Sequence, residues 1–122
     1  MTLGAPVRLR LTRTMRIRQG SDFVRLKRQG RRLARGCLVI NWLELSAGSQ
    51  SRFAVITTRK LGNAVVRNRC RRLLRECFRV HQHALRQPVE MVMIARRSLV
   101  GRKYASVEKN YLAVMHDAKL IV

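Results

Sequence analysis

The amino-acid sequence predicts one α+β domain, a sandwich of helices packed on a small sheet. Three observations lead to this fold class. The chain has 122 residues, the length of a single domain. Its middle part contains short runs rich in β-branched and aromatic residues, which predict strands. Other segments repeat their apolar residues every three or four positions, as amphipathic helices do, and the combined pattern predicts the order α, one or two β, β, α, β, α.

The first half of the domain is predicted to contain one helix and two or three strands. The helix begins at Ser21, a residue type that favours the N-cap position, and ends at Gly30. A brief strand follows at residues 31–34. The β-rich runs at residues 36–45 and 52–58 are separated by the turn-forming sequence AGSQS, so we predict that these two strands pair as a β-hairpin.

The second half is predicted to contain a basic helix, a buried strand and a final helix. The basic helix lies within residues 59–79, RKLGNAVVRNRCRRLLRECFR. With about 3.6 residues per turn, its apolar residues form one stripe. The stripe consists of Val66, Cys70, Leu73, Leu74, Cys77 and Phe78. VEMVMIA at residues 89–95 predicts the buried strand, and spaced apolar residues between Tyr104 and Met115 predict the final helix.

The charge of the chain indicates a polyanionic partner. Lys and Arg total 27 against 6 acidic residues, a net charge of +21. Self-repulsion of this size destabilises a compact domain. Nucleic acid is the leading class of partner and an anionic membrane surface is the second, although no apolar run is long enough to span a membrane. Arginine is far commoner than lysine, which favours bidentate contacts with phosphate.

We expect residues 1–15 to form a flexible basic N-terminal arm and residues 16–122 to form the domain. Arginines interrupt the first nineteen residues, which therefore lack the apolar core of a signal peptide. These arginines are Arg8, Arg10, Arg13, Arg16 and Arg18. The three cysteines are an odd number without the spacing of a metal motif, and this favours reduced core thiols in a cytoplasmic protein.

The sequence offers no candidate catalytic or metal-binding side chain. The 6 acidic residues are scattered singly, whereas metal-assisted cleavage of a phosphodiester usually needs several converging carboxylates. The histidines lie in polar or terminal segments, where surface histidine is the common case. Trp42 and Phe53 have two interpretations, as core residues or as platforms on which bases stack, and the core is favoured.

The arginine-rich helix carries the strongest functional signal. An exposed helix face normally mixes charges of both signs through pairs four residues apart. Residues 59–79 instead contain eight basic side chains and a single acid, Glu76. The cations of such a face repel one another unless an anionic ligand binds them. The interpretation of this helix face as an ordinary solvent-exposed surface is therefore disfavoured.

The same stretch resembles a known family. RKLGNAVVRNRCRR, residues 59–72, is similar to the RNR signature of the protein component of bacterial ribonuclease P. SDF at residues 21–23 and MVMIARR at residues 91–97 match that family's first helix and last strand. The resemblance implies a ribosomal protein S5 domain 2-like fold, a two-layer sandwich with a small, mostly antiparallel four-stranded sheet and the order α-β-β-β-α-β-α. In this family the basic helix belongs to an unusual left-handed β-α-β crossover that the usual handedness rule would not predict.

The function implied by the resemblance is that of an accessory subunit of an endoribonuclease. A catalytic RNA binds the basic helix and holds the Mg²⁺ ions, and the complex removes the 5′ leader of precursor tRNA. No metal is expected on protein side chains, and neither membrane nor DNA is an expected partner. By similarity, the residues expected to contact the catalytic RNA are Arg59, Lys60, Arg67, Asn68, Arg69, Arg71, Arg72 and Arg75.

The resemblance also implies a leader-binding cleft between the sheet and the first helix. Phe23 matches an aromatic residue of that cleft. Lys27 and Asn41 are the other leader-binding candidates, and at both positions the chain departs from the family, which often has aromatic residues there.

Three alternative functions are weighed against this one. A structural RNA-binding protein of the ribosomal type is the main alternative, since it would explain the charge and the fold but not the RNR signature. A self-sufficient nuclease would need a cluster of carboxylates. A DNA-binding module would need a recognisable reading helix.

Overall fold

The computed structural model describes residues 10–122 and contains the predicted helices and strands in the predicted order. The helices are α1 (Gly20–Gln29), α2 (Ala64–His81) and α3 (Tyr104–Asp117), and the strands are β1 (Arg31–Arg35), β2 (Leu38–Glu44), β3 (Arg52–Ile56) and β4 (Val89–Ala95). Short 3₁₀ helices occur at Arg13–Met15, Arg59–Leu61, Gln82–Ala84 and Arg97–Leu99. The predicted α+β class is confirmed. Within this part of the chain, no helix is long and apolar enough to cross a membrane.

The four strands form one sheet in the order β1-β2-β4-β3. The pairs β1–β2 and β2–β4 are antiparallel and the pair β3–β4 is parallel, so the sheet is mostly antiparallel as predicted. Since β3 and β4 are parallel neighbours, α2 is the crossover between them. The left-handed sense of this crossover stays an expectation from the resemblance.

The predicted hairpin between residues 36–45 and 52–58 is wrong. The hairpin of this fold joins β1 to β2, whereas β2 and β3 are separated by β4. The physical reason lies in β4, whose residues are buried almost without interruption. A strand that is apolar on both faces is most stable in the middle of a sheet, and β4 therefore lies between β2 and β3.

The limits of α1 match the prediction at one end only. The helix begins at Gly20 with Gln19 at the N-cap, and no side chain caps it, so the prediction of Ser21 as the cap is wrong. Gly30 ends the helix as predicted. A Cβ atom at Gly30 would lie 2.4 Å from the carbonyl oxygen of Leu26 and 2.6 Å from that of Trp42. Only glycine allows the helix end to approach β2 this closely.

The apolar stripe of α2 packs against one face of the sheet together with α3. Cys70, Leu74, Cys77 and Phe78 are buried, while Val66 and Leu73 are half-buried against the same core. The helix begins at the N-cap residue Asn63, whose side-chain oxygen accepts a hydrogen bond of 3.0 Å from the backbone N–H of Val66. The predicted stripe is confirmed.

The aromatic residues Trp42 and Phe53 belong to this core. Their exposed fractions are 4% and 2%, and the ring of Phe53 stacks on that of Phe78 with centroids 4.6 Å apart. The interpretation as core residues is confirmed, and neither ring is available as a platform for bases.

The opposite face of the sheet is covered by α1 and by the segment that precedes it. Leu26 packs with Ile17 and Val92 in a second, smaller cluster. The backbone N–H of Ile17 donates to the carbonyl of Phe53 at 2.8 Å, so this segment runs along the outer edge of β3. Residues 1–9 of the expected arm lie outside the described residues, but Met15, at its end, is buried in the core.

A buried carboxylate fixes α1 over the sheet. Glu90 of β4 is only 2% exposed, and it accepts a hydrogen bond from Arg25 of α1 and forms an ion pair with Arg52 of β3. Arg52 also donates to Asp22 of α1 at 2.7 Å. Because a buried charge is tolerated only with such partners, this network holds α1 in one position relative to β3 and β4.

Candidate nucleic-acid interface

The basic pair that precedes α2 lies on a short, anchored turn. Arg59 and Lys60 are exposed on a 3₁₀ helix whose third residue, Leu61, is buried. Gly62 then adopts a φ angle of +142°, and a Cβ atom there would lie 3.1 Å from the side chain of Val66. Glycine is therefore required for the tight entry into α2. The turn presents both cations beside the start of the helix.

The arginines of α2 that were expected to contact RNA fall on two flanks. On one flank, Arg71 donates to the hydroxyl of Thr57 at 2.6 Å, which turns it towards the edge of β3. On the other flank, Arg69 donates to the backbone carbonyl of Arg102 at 2.7 Å, which turns it towards the loop before α3. Arg72 is exposed between the two flanks. The remaining members of the set are the half-buried Arg67 and Arg75 and the exposed Asn68, which accepts a hydrogen bond from Arg71.

The electrostatic environment of α2 is strongly positive. Burial lowers the pKa of Arg75, and the charges of Arg16, Arg71 and Arg72 lower it further. A guanidinium whose pKa falls through repulsion from neighbouring cations gains free energy when an anion binds beside it. The acid of this helix, Glu76, pairs with Arg79 one turn further on.

A cleft, called here the α1 cleft, lies between α1, β3 and α2. It has a volume of about 210 Å³, and its lining includes Arg16, Phe23, Ala54, Val55, Arg71 and Arg75. One wall is thus aromatic, the floor is a strand edge and the other wall carries two arginines. A second cavity of about 480 Å³ shares Arg16 with it and is lined by further cations, including Arg13, Arg18 and Arg52, and by Asp22. The two cavities form a basic groove along the N-terminal part of α1.

Of the three expected leader-binding residues, one lies in the α1 cleft. Phe23 is half-buried and lines it, whereas Lys27 and Asn41 do not. Lys27 is exposed one turn further along α1. The side-chain amide of Asn41 donates to the backbone carbonyls of Leu26 at 3.1 Å and Arg31 at 2.8 Å. Asn41 therefore holds the end of α1 against the sheet.

Comparison with known proteins decides the family. A family model described as Ribonuclease P matches residues 11–119. The chain belongs to the ribonuclease P protein family. The ribonuclease P protein component of Syntrophomonas wolfei is 34% identical over 110 residues, which cover 90% of this chain and 92% of the relative. That of Staphylococcus carnosus is 31% identical over 110 residues, which cover 90% and 95%.

Solved structures of ribonuclease P proteins have the same fold. The Staphylococcus aureus protein superposes with a TM-score of 0.80 at 27% identity, covering 88% of this chain and 98% of that protein. The Thermotoga maritima protein gives a TM-score of 0.74 at 25% identity, covering 84% and 96%. The chain is therefore a protein subunit of ribonuclease P, the endoribonuclease that processes the 5′ end of tRNA. Membership of this family excludes the alternative that the chain is a structural RNA-binding protein of the ribosomal type.

Sequence reasoning missed the part of the ribonuclease P fold that precedes α1. Arg16 lines both cavities, whereas the sequence predicted only that it lies at the start of the domain. The sequence did contain a signal, because buried Met15 and Ile17 alternate with exposed Arg16 and Arg18 in the pattern of an edge strand. No sequence pattern indicated a role for Arg52, because its position depends on an ion pair with Glu90, which is distant in the sequence.

The described part of this ribonuclease P protein has no metal centre built from side chains. No group of three or more His, Cys, Asp or Glu side chains lies together among residues 10–122. Five of the 6 acidic residues pair with arginine or histidine. Four of these carboxylates join different elements and Glu76 pairs within α2, so the donor set does not suit Mg²⁺.

Proposed function

We propose that the outward face of α2 binds the catalytic RNA of ribonuclease P and that the α1 cleft binds the 5′ leader of precursor tRNA. The observation that carries this proposal is the crowding of cations, since Arg16, Arg71 and Arg75 line one cleft. Burial, together with the charges of Arg16, Arg71 and Arg72, lowers the pKa of Arg75. Cations are held this close at little cost only when a polyanion binds them.

The catalytic RNA takes the larger share of the basic surface. Its proposed contacts are Arg59, Lys60, Arg67, Asn68, Arg69, Arg71, Arg72 and Arg75. A rigid helix that is anchored on its apolar stripe keeps these side chains at fixed spacings, so little order is lost when RNA binds. Arginine suits this role because its planar guanidinium makes two parallel hydrogen bonds to a phosphate.

The α1 cleft suits a single strand. Single-stranded nucleic acid is bound by stacking bases on aromatic rings and by matching the backbone with positive charge. Phe23 supplies the ring, while Arg71 and Arg75 supply charge on the opposite wall. These two arginines therefore lie where they contact the leader as well as the catalytic RNA. The proposed roles of Lys27 and Asn41 are smaller, with Lys27 attracting the leader electrostatically and Asn41 positioning α1.

The chemistry of cleavage is proposed to belong to the RNA. Mg²⁺ supplies charge neutralisation and an activated water in such reactions, and we propose that RNA rather than protein side chains holds it. The contribution of the protein is to bind the leader and to reduce repulsion between two polyanions. We further propose that the protein works in the cytoplasm, with the catalytic RNA and precursor tRNA as its partners.

The decisive experiment is reconstitution. The purified protein is mixed with a bacterial ribonuclease P RNA, and 5′ cleavage of precursor tRNA is measured at low Mg²⁺. We expect cleavage with both components and none with the protein alone. Cleavage by RNA-free protein would contradict the assignment of the chemistry to RNA, and no stimulation of the RNA would contradict the proposal as a whole.

Leader binding is tested with a matched pair of substitutions on α1. Phe23→Ala should raise KM for a substrate with a long leader, by about 5- to 150-fold if one base stacks on the ring. KM for a substrate with a one-nucleotide leader should not change. Val24→Ala is the control, because Val24 is 56% exposed on the same helix and outside the α1 cleft. Equal effects on both substrates would contradict the leader role of Phe23.

A further inference from the structure

A separate basic pocket lies on the side of the domain away from the α1 cleft. It has a volume of about 230 Å³ and is lined by Arg35, Arg102, Ser106, Lys109, Asn110 and Ala113. This site, called here the α3 pocket, lies between α3 and the end of β1. None of the residues expected to contact RNA belongs to it.

The walls of the α3 pocket are fixed by Asn110. Its side-chain oxygen accepts a hydrogen bond of 3.1 Å from the backbone N–H of Cys37, and its amide donates to the carbonyl of Arg35 at 2.9 Å. The intervening Gly36 has a φ angle of +58°, and a Cβ atom there would lie 2.0 Å from the oxygen of Asn110. The turn between β1 and β2 is therefore held tightly against α3.

The cations of the α3 pocket are partly preorganised. The guanidinium of Arg102 donates to the carbonyl of Ser98 at 2.8 Å and to the hydroxyl of Ser106 at 3.5 Å, which restricts its orientation. Lys109 is exposed. Arg35 pairs with Asp117, so the pocket and its rim contain three cations and one carboxylate. A positive pocket with a fixed guanidinium suits a phosphate group.

The α3 pocket lies next to the outward face of α2. Arg69 of α2 donates to the carbonyl of Arg102, and so connects the flank of α2 to the wall of the pocket. The loop between β4 and α3 joins the two sites and carries the exposed cations Arg96, Arg97 and Lys103. A nucleic acid that follows this flank of α2 meets the α3 pocket next.

We propose that the α3 pocket binds a backbone phosphate of the same RNA that contacts α2, so that the RNA interface extends over α3 and the β1–β2 turn. This inference rests on the proposed function, because it takes the catalytic RNA as the partner of α2. The α3 pocket is then a second contact region for this RNA, separated from the outward face of α2 by Arg69.

The test compares two single-charge deletions. Lys109→Ala removes one cation from the α3 pocket. Arg86→Ala is the control, because Arg86 is exposed and precedes the first residue of β4, whereas the pocket lies near Ala95 at the other end of that strand. Affinity for the catalytic RNA is titrated over a range of salt, and KM is measured for precursor tRNA with the reconstituted enzyme.

We expect Lys109→Ala to reduce the slope of log K against log salt by about 0.7, which is one phosphate contact. Over one decade of salt this corresponds to about fivefold in affinity. Arg86→Ala should leave the slope unchanged. Equal slopes for the two variants would overturn the inference, and so would an effect of Lys109→Ala on KM alone, since the pocket would then contact substrate.

Arg72→Ala separates failure of this inference from failure of the proposed function. If Arg72→Ala weakens RNA binding and Lys109→Ala does not, the α3 pocket is no RNA site and the proposed function of α2 stands. If neither variant weakens binding, the proposed function of α2 fails. Thermal melts of each variant check that the fold is retained. Retention is expected because the side chains of Arg72 and Lys109 are exposed.

Discussion

The two faces of α2 should respond to substitution in opposite ways. Leu74 lies on the buried stripe and has an exposed fraction of 0%, whereas Arg72, two residues earlier, is exposed. We predict that Leu74→Ala reduces the free energy of unfolding and leaves the RNA affinity of the folded molecules unchanged. Arg72→Ala should leave stability nearly unchanged and weaken RNA binding.

The magnitudes follow from burial and charge. Replacement of a buried leucine by alanine costs about 2–5 kcal/mol, and the complete burial of Leu74 against the sheet and α3 places it in the upper half of that range. At roughly 4 °C per kcal/mol, the melting temperature should fall by about 14–20 °C. Arg72→Ala should change stability by less than about 0.5 kcal/mol. The loss of a charge-assisted hydrogen bond, about 1.5–3 kcal/mol, should weaken RNA binding by about 10- to 150-fold.

Thermal melts and RNA titrations on the same protein preparations measure both quantities. The titrations are run well below the melting temperature of Leu74→Ala, so that most molecules are folded. Leu73→Ala is a useful intermediate, because Leu73 is half-buried and should lose less stability than Leu74. If Arg72→Ala lowers the melting temperature as much as Leu74→Ala and leaves RNA affinity unchanged, the faces of α2 have been assigned backwards.

Three further predictions concern salt, thiols and pH. If about six phosphates are neutralised, log K for RNA should fall with log salt at a slope near −4; a flat dependence would contradict the phosphate contacts. Burial raises the pKa of Cys37 and Cys70, and that of Cys77 to about 12. A thiol reagent should therefore label the native protein only as it unfolds, and rapid labelling of Cys70 or Cys77 would refute the packing of α2. The hydrogen bond with His81 lowers the pKa of Glu108 below its ordinary 4.5, so its contribution to stability is complete above that pH and is lost as the pH falls through the lowered value. Glu108→Gln should therefore weaken the acid-side fall in melting temperature, and an unchanged pH profile would show that the pair contributes nothing.

Local patterns in the sequence were sufficient for the helices but not for the pairing of the strands. The stripe of α2 could be read from its spacing, because each apolar residue there depends only on the helical period. The neighbour of β2 could not be read in this way, since β4 lies more than forty residues further along the chain. The signal that was available was the nearly continuous apolar run of β4, which is typical of a strand buried on both faces.

The candidate site shows the same division between local and distant information. The signature at residues 59–72 identified the basic surface, and the structure places all of these cations on or just before α2. The direction of each side chain was not predictable, because Arg71 turns towards Thr57 and Arg69 towards Arg102 through tertiary contacts. Asn41 stands where the family often has an aromatic residue of the cleft, and its amide is engaged in holding α1.

The distribution of the acidic residues explains how so basic a chain can fold and still bind RNA. Glu90 and Asp22 hold α1, Asp117 holds β1 to α3, and Glu108 holds α2 to α3 through His81. Each of these carboxylates joins two elements, and none contacts the outward arginines of α2. The repulsion among those arginines therefore persists in the free protein, and we propose that RNA binding relieves it. A ligand that binds only the folded state stabilises it, so RNA binding and the stability of this domain are thermodynamically coupled.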